Sequence, residues 1–468
     1  MAASKQSFAK QDIIEDMFSS LTTGIVNRWY PLVIDNEFGG YFTNVDCNWQ
    51  LLPEQEKMIV TQARHVWTLS KISVFFNNKA FANFAMHGFD FLKNDMWDKK
   101  TGGFYQMRGR EGGLSDVCGF RDEKRTYGNA FAIYGLAALY DVSRDEDVLN
   151  LAKTAFSWVE SHAFDPINKG YFQFLGPDGK WFDKNSNYKT IAYDDIELGY
   201  KDQNSSIHLL EAYTELYSVW KDDLLKSKLN DLLLLIRDVI TTSRGYMTLF
   251  FDREWKPVSL RDAPSEIREA NYRLDHVSFG HDYETAFLLL EASHTLGIEN
   301  DVKTLANAKK MVDHALDNGF DTLNGGFYDE AYYFLGSKEC SVIKDTKNWW
   351  AQAEALNAYL MMSLIFPEEE KYYNTFLKQW EYVNKYIIDH DNGDWFEGGI
   401  DKEPQFKTGP KSHMWKCTYH TCRALMNCIT MLADEKAMYP VESPGFVSGK
   451  KKSDEFIDHW KKTAQLLK

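Results

Sequence analysis

The sequence predicts an all-α fold, an (α/α)6 barrel of six helical hairpins with short β-hairpin loops at its mouth. Two patterns carry that prediction. A glycine–aromatic punctuation recurs six times, as DNEFGGYF (35–42), DKKTGGFY (98–105), DPINKGYF (165–172), TTSRGYMTLF (241–250), DTLNGGFYDE (321–330) and DNGDWFEGG (391–399). Its spacing is that of two helices plus a loop. Between punctuations, apolar residues return at three- and four-residue intervals, as in IHLLEAYTELYSVW (207–220), which marks helices with a buried face. An open solenoid of the same hairpins is the structural alternative.

The elements follow in order. Helices are predicted at 8–30, 61–76, 79–96, 126–142, 146–162 and 203–219, then at 222–240, 281–296, 301–317, 349–365, 368–388 and 418–433. That makes twelve helices in six pairs. Each punctuation offers glycine for the turn and aromatics for a short strand. No Pro- or Ser-rich linker divides the chain, so residues 1–440 form one catalytic domain. Residues 441–468 read as an extension carrying one amphipathic helix.

Composition narrows the function. Hydrophobic residues make up 44% and aromatics 15%, which suits a large core and an aromatic-lined sugar site alike. The net charge of −15 repels phosphates and argues against nucleic acid. The start MAASKQSFAKQDIIEDMF lacks the apolar stretch of a signal peptide. No run approaches the roughly 20 apolar residues of a membrane span. The cysteines at 47, 118, 340, 417, 422 and 428 contain no C-x-x-C pair, which points to reduced thiols and a cytoplasmic protein. A monomer or homodimer is expected.

Unusual polar residues gather where each inner helix begins. Arg64 stands in TQARHVWTLS, Tyr127 in RTYGNAFAIYG, Asn204 and His208 in QNSSIHLLEAY, and His281 with Glu284 in SFGHDYETAFLLLEA. Trp349 and Trp350 follow in NWWAQAEAL, then Trp415 and His420 in MWKCTYHTCRALM. If the helices ring a barrel, these side chains converge at one end, as small-molecule sites do. Taken singly, each has a structural reading: His281, Asp282 and Glu284 as an N-terminal cap network, His208 as a satisfied interior histidine, the tryptophans as core. The spacing of His208, His281, His420 and Glu284 matches no compact ligand motif, so no metal is expected. Histidines in excess of carboxylates suit moving a proton on and off carbon. Hydrolysis of a glycoside needs two carboxylates, which Asp194 and Asp195 keep open.

The segments TQARHVWTLS, QNSSIHLLEAYTELY, SFGHDYETAFLLLEA, WWAQAEAL and WKCTYHTCRALM resemble the N-acylglucosamine 2-epimerase superfamily. Within it they are most similar to the branch of cellobiose and mannose 2-epimerases. The likeness runs from about residue 12 to 435. It implies an (α/α)6 barrel and cofactor-independent epimerisation at C2 of a reducing-end aldose. It matches His281 and His420 to a proton-transfer pair, His208 to ring opening, and Arg64 to binding of sugar oxygens. Glu284 matches a carboxylate that orients its neighbouring histidine or the substrate. Tyr127, Asn204, Trp349, Trp350 and Trp415 match site-lining positions. The chain departs from the branch at Ser206, Tyr283, Thr418 and Thr421. An aldose–ketose isomerase uses nearly the same residues and is the first alternative; an (α/α)6 glycoside hydrolase and a non-catalytic sugar-binding protein come after it. A longer segment at 252–276 is expected to form a loop over the mouth.

Overall fold

The computed structural model describes residues 2–115, 122–184, 186, 197–434 and 443–467. All twelve predicted helices are present. They are α1 Ala2–Ser19, α2 Ile59–Phe76, α3 Lys79–Phe91, α4 Thr126–Ser143, α5 Glu146–His162 and α6 Gln203–Val219. The next six are α7 Asp223–Leu235, α8 Phe279–Leu296, α9 Val302–Gly319, α10 Trp349–Ile365, α11 Glu370–Tyr386 and α12 Tyr419–Leu432. A thirteenth, α13, spans Pro444–Ala464. Helices α1, α3 and α7 widen into π-turns at Ser20–Val26, Leu92–Met96 and Ile236–Ile240. The runs predicted at 79–96 and 222–240 end in these turns, and that at 8–30 passes through its turn into a last helical turn, Asn27–Trp29.

The ring closes. Helices α2, α4, α6, α8, α10 and α12 each pack on the next, and α12 packs on α2. Outer helices α3, α5, α7, α9 and α11 each back the inner helix before them, and α1 backs α12. The last layer is therefore built from the two ends of the sequence. Inner helices are buried on nearly every face; in α10 all but Trp350 and Leu364 are buried, as a helix enclosed by neighbours must be. Close approach needs small residues there. A Cβ on Gly135 in α4 would lie 2.7 Å from the Ala63 carbonyl oxygen of α2. Helix α13 crosses the far end, where the Ser443 hydroxyl donates to Phe75 O at 2.8 Å and Phe456 meets Phe287.

Each glycine–aromatic punctuation is a tight loop closed by one bridge, seen at Ile34 with Tyr41, Trp97 with Phe104 and Phe164 with Tyr171, then Thr241 with Met247, Phe320 with Phe327 and Ile388 with Trp395. Behind the loop, two-residue strands pair antiparallel, Lys57–Met58 with Met107–Arg108, Lys124–Arg125 with Phe174–Leu175, and Lys201–Asp202 with Phe250–Phe251. Val277–Ser278 joins Glu330–Tyr332 and Ser341–Lys344 in a three-stranded sheet.

A buried lysine clamps five of the six loops. Lys57 pairs with Asp35 at 2.9 Å, Lys124 with Asp98 at 2.7 Å, Lys201 with Asp165 at 3.0 Å, Lys347 with Asp321 at 2.8 Å and Lys411 with Asp389 at 2.6 Å. Each ammonium also donates to the carbonyl four residues after its aspartate, such as Gly102 O at 2.6 Å and Gly393 O at 2.8 Å. The extra hydrogen bonds satisfy a charge that burial would otherwise penalise. In the fourth loop Thr242 and Val277 hold the two positions, so both charges are gone together. Replacing Lys124 by Met strands the Asp98 carboxylate and should cost about 3–5 kcal/mol in denaturant unfolding. The double change Lys124→Val with Asp98→Thr, which copies the fourth loop, should recover most of that loss; a double variant as unstable as the single one would contradict the clamp's role.

An amide near the start of an inner helix brackets three of the loops. Gln62 accepts from Tyr41 N at 2.8 Å and donates to Tyr41 O at 2.9 Å. Asn129 does this at Phe104, and Gln352 at Phe327. Gly40, at φ 65°, makes room: a Cβ there would meet the Gln62 Oε1 at 2.5 Å. Asp282 takes the amide's place in the fourth repeat. It accepts from Met247 N at 3.0 Å, its Oδ2 has no partner, and burial pushes its carboxyl well above the usual range. A raised native pKa means stability is fullest below the unfolded value of about 4 and falls as pH climbs. Asp282→Asn should therefore raise the melting temperature, with a gain larger at pH 8 than at pH 5. A pH-independent difference would contradict this account.

Candidate active site

The inner helices all start at one end of the ring, so their N-termini, with their unpaired N–H groups and positive dipole ends, surround a cavity of about 300 Å³. Arg64, Tyr127, Asn204, His208, His281, Glu284, Trp349, Trp350, Trp415 and His420 all line it. These are the ten residues singled out from the sequence, brought together from six inner-helix segments. Asn348, Glu397 and His413 complete the lining and were not anticipated. Trp415 stands 40% exposed at the mouth.

Two polar layers are stacked along the barrel axis. The upper one holds the three histidines. The lower one lies a helical turn deeper, because Glu211, Glu284 and Arg423 follow His208, His281 and His420 by three residues and Glu354 follows Trp350 by four. Arg423 gathers that layer. Its Nη2 donates to Glu284 at 2.6 Å and to Glu354 at 2.7 Å, and its Nη1 donates to Glu211 and to the Tyr419 hydroxyl. Tyr419 in turn donates to Glu211. Burial alone would lift the carboxyls of Glu211 and Glu354. Arg423 and His208 overcome it at Glu211, which is held down at about 2, whereas Glu354 stays raised. The guanidinium itself is held well above its ordinary value by these anions.

The lower layer orients the upper one. The Nδ1 of His208 meets Glu211 Oε2 at 2.8 Å, and the Nδ1 of His420 meets Glu354 Oε1 at 2.7 Å. Glu284 sits 4.0 Å from His420 Nδ1 and is turned to Arg423 rather than to His281. His281 instead meets the Ser278 hydroxyl at 2.7 Å. Trp350 stands between the two rings, 4.8 Å from His281 and 5.4 Å from His420. Gly280 permits that approach, since a Cβ there would strike the Trp350 ring at 2.9 Å. Loss of hydration, helped by His208, His276 and His420, pushes His281 down to about 3; burial and the Arg64 charge put His420 well below the usual imidazole range. Both rings are neutral at neutral pH.

Arg64 is a different kind of cation. It donates to the Tyr127 hydroxyl at 3.0 Å and lies over the rings of Phe131 at 4.3 Å and Tyr419 at 5.0 Å. Among the described residues no carboxylate is within ion-pair distance of it. Its charge is carried by aromatic faces and stays available to an anion in the cavity. Tyr127, pushed up to about 12 by burial, remains a neutral donor.

Donor atoms of His208, Glu211 and Glu284, and of Glu284, Glu354 and His420, lie within 4.8 Å of one another. The centre of that arrangement is taken by Arg423, which serves as the counter-charge. The departures from the resembling branch are absorbed locally. The Thr418 hydroxyl is 3.1 Å from the Tyr30 hydroxyl, which also meets His65 at 2.8 Å. The Thr421 hydroxyl donates to Thr418 O and that of Ser206 to Asp202 O, and Tyr283 bonds Tyr359. The 252–276 segment holds a short helix, Ser265–Ala270, and is pinned where Asp275 accepts from Leu260 N at 2.6 Å and from Tyr332 at 2.8 Å. None of its residues lines the cavity. Asp194 and Asp195 lie outside the described residues.

A closed double ring of helices with convergent histidines at one end is a frame for small polar ligands. The family model for N-acylglucosamine 2-epimerase (GlcNAc 2-epimerase) matches residues 40–424, and the chain belongs to that family. It is an enzyme of the isomerase class. A cellobiose 2-epimerase from Bacteroides fragilis is 28% identical over 432 residues, covering 90% of this chain and 98% of that protein. A D-mannose isomerase from Marinomonas mediterranea is 22% identical, covering 86% of this chain and 94% of that protein. The solved cellobiose 2-epimerase of Bacillus thermoamylovorans superposes with a TM-score of 0.76 at 24% identity, covering 89% of this chain and 98% of that one. No helix among the described residues is long and apolar enough to cross a membrane.

Glu354→Gln removes the charge behind His420 and one of the three anions around Arg423. Sugar-isomerising kcat/KM should fall about 10²-fold, the usual range for a weakened acid–base group, with the far-ultraviolet circular dichroism unchanged. Undiminished turnover would contradict the orienting role of the lower layer.

Proposed function

We propose that this enzyme epimerises a reducing-end aldose at C2, interconverting glucose and mannose configurations in the free sugar or at the reducing end of a cellobiose-type disaccharide. One observation carries the reading: two neutral imidazoles from different helices flank the same tryptophan, with their Nδ1 sides already engaged. Their Nε2 atoms are left for substrate. His208, backed by Glu211, assists ring opening by taking the C1 hydroxyl proton as the C1–O5 bond breaks and passing it to the ring oxygen, which becomes the C5 hydroxyl. The C2 proton of the open aldehyde is then acidic, because the electron pair it leaves delocalises onto the carbonyl. One of His281 and His420 takes it on Nε2; the other takes up a solvent proton as the enediolate charge develops and gives it to C2 from the opposite side, and the first then releases its proton to solvent. Between those steps the charge rests on the enediolate oxygens, where Arg64 and the surrounding helix N-termini stabilise it.

The carboxylates speak against hydrolysis as the main activity. A glycosidase needs one carboxylic acid beside the leaving oxygen and a second carboxylate at a set distance. Glu211, Glu284 and Glu354 are all tied to Arg423. The isomerase alternative differs only in where the proton returns, C1 in place of C2. Trp415 and Trp349 at the outer end of the cavity offer faces for a second ring.

In D2O, wild-type enzyme with mannose or cellobiose should place deuterium at C2 and form the C2 epimer, followed by proton NMR. His281→Ala and His420→Ala should each lower the rate by about 10²–10⁴. Deuterium with ketose as the main product would move the reading to isomerisation, and release of sugar from a glycoside without C2 exchange would move it to hydrolysis.

A further inference from the structure

The three inner-helix histidines of the cavity do not have equivalent partners. His208 and His420 rest on carboxylates, whereas His281 Nδ1 rests on the Ser278 hydroxyl at 2.7 Å. Ser278 occupies the N-cap position of α8, with φ −105° and ψ 96°. A serine there ordinarily directs its hydroxyl to a backbone N–H of the first turn, worth about 1 kcal/mol. Ser278 makes no such cap bond. Its hydroxyl goes to the imidazole instead. The residue is 9% exposed and is fixed by strand pairing with Glu330, so the hydroxyl is presented from a rigid support.

We propose that Ser278 is the positioning residue of His281, holding the ring so that Nε2 faces C2 while leaving its proton inventory free to change. The proposal rests on the epimerase reading above. The hydroxyl accepts from the Nδ1–H of His281 in both of its working states: neutral, taking the C2 proton on Nε2 as the C–H electron pair moves into the C1–C2 bond, and protonated from solvent, giving a proton to C2 as the enediolate collapses after His420 has acted first. The Glu354 carboxylate accepts from the Nδ1 of His420 in the same way, but as an anion it favours the protonated ring, which a neutral hydroxyl does not. The two sides of the reaction are therefore supported differently, and damage to one need not damage the other.

That asymmetry has a directional signature. From the sugar whose C2 proton His420 removes, a mispositioned His281 fails to complete the inversion. The enediolate then returns on the His420 side and carries solvent deuterium into the recovered starting sugar. From the other epimer, His281 must act first, so exchange and epimerisation fall together.

The test measures C2 deuterium in recovered sugar and in product for wild type, Ser278→Ala and Ser278→Thr, starting in turn from each of the two epimers in D2O. Ser278→Ala should slow epimer formation at least about tenfold. It should also raise the ratio of deuterated recovered sugar to deuterated product at least about threefold from one epimer only, and Ser278→Thr should restore both. A ratio that is unchanged, or that shifts equally from both epimers, overturns the proposal, as does failure of Thr to rescue. Should Ser278→Ala not fold, Ser278→Cys keeps the volume while weakening the hydrogen bond, and the same ratios decide. Wild type that forms no C2 deuterium overturns the epimerase reading itself, a result distinct from wild-type exchange with an insensitive Ser278.

Discussion

One guanidinium organises the centre of this protein. Arg423 holds Glu211, Glu284 and Glu354 in a space from which water is largely excluded. Three buried carboxylates this close would otherwise repel one another, take up protons or force the helices apart. Because they are gathered by Arg423, two of them can also face upward and fix the Nδ1 sides of His208 and His420. The acid–base groups of the cavity thus inherit their orientation from an ion cluster that substrate does not need to touch. The same cluster makes the site poor in free carboxylate and rich in neutral imidazole, the combination suited to proton transfer at carbon.

The cluster depends on ring closure, since its four members come from α6, α8, α10 and α12. Closure in turn depends on the loops that set where each inner helix begins. The lysine clamps tie five loops to the chain entering the next inner helix, and the amide brackets tie loops to the first helical turn. The fourth repeat drops the clamp and replaces the amide by Asp282. It is the repeat that supplies Ser278 and His281.

Much of this was legible in the sequence, for identifiable reasons. Helix positions follow from apolar periodicity, which the inner helices show despite being buried on most faces. The punctuations stand out because glycines at positive φ, such as Gly40 and Gly326, are needed for the turn. Convergence of the ten cavity residues followed from their common place near the helix starts. The pairing of α1 with α12 was not legible, since periodicity says that a face is buried but not against what. Of the lower charged layer only Glu284 was singled out, because Glu211 and Arg423 look like ordinary helix-surface charges. Their signal was spacing: each lies three residues beyond a cavity histidine, within the quoted motifs. The role of Ser278 had no sequence signal beyond its place three residues before His281, because a serine ahead of a helix reads as a cap.

The most direct test is a crystal structure with the open-chain alditol of glucose or of cellobiose bound, a stable stand-in for the ring-opened substrate. The account predicts C2 within about 3–3.5 Å of the Nε2 atoms of both His281 and His420, a near-attack separation, with O1 or O2 against Arg64 and the Arg423 cluster intact. An alditol whose C2 lies away from either imidazole, or a Glu284 or Glu354 carboxylate released from Arg423 and turned onto the sugar, would contradict it.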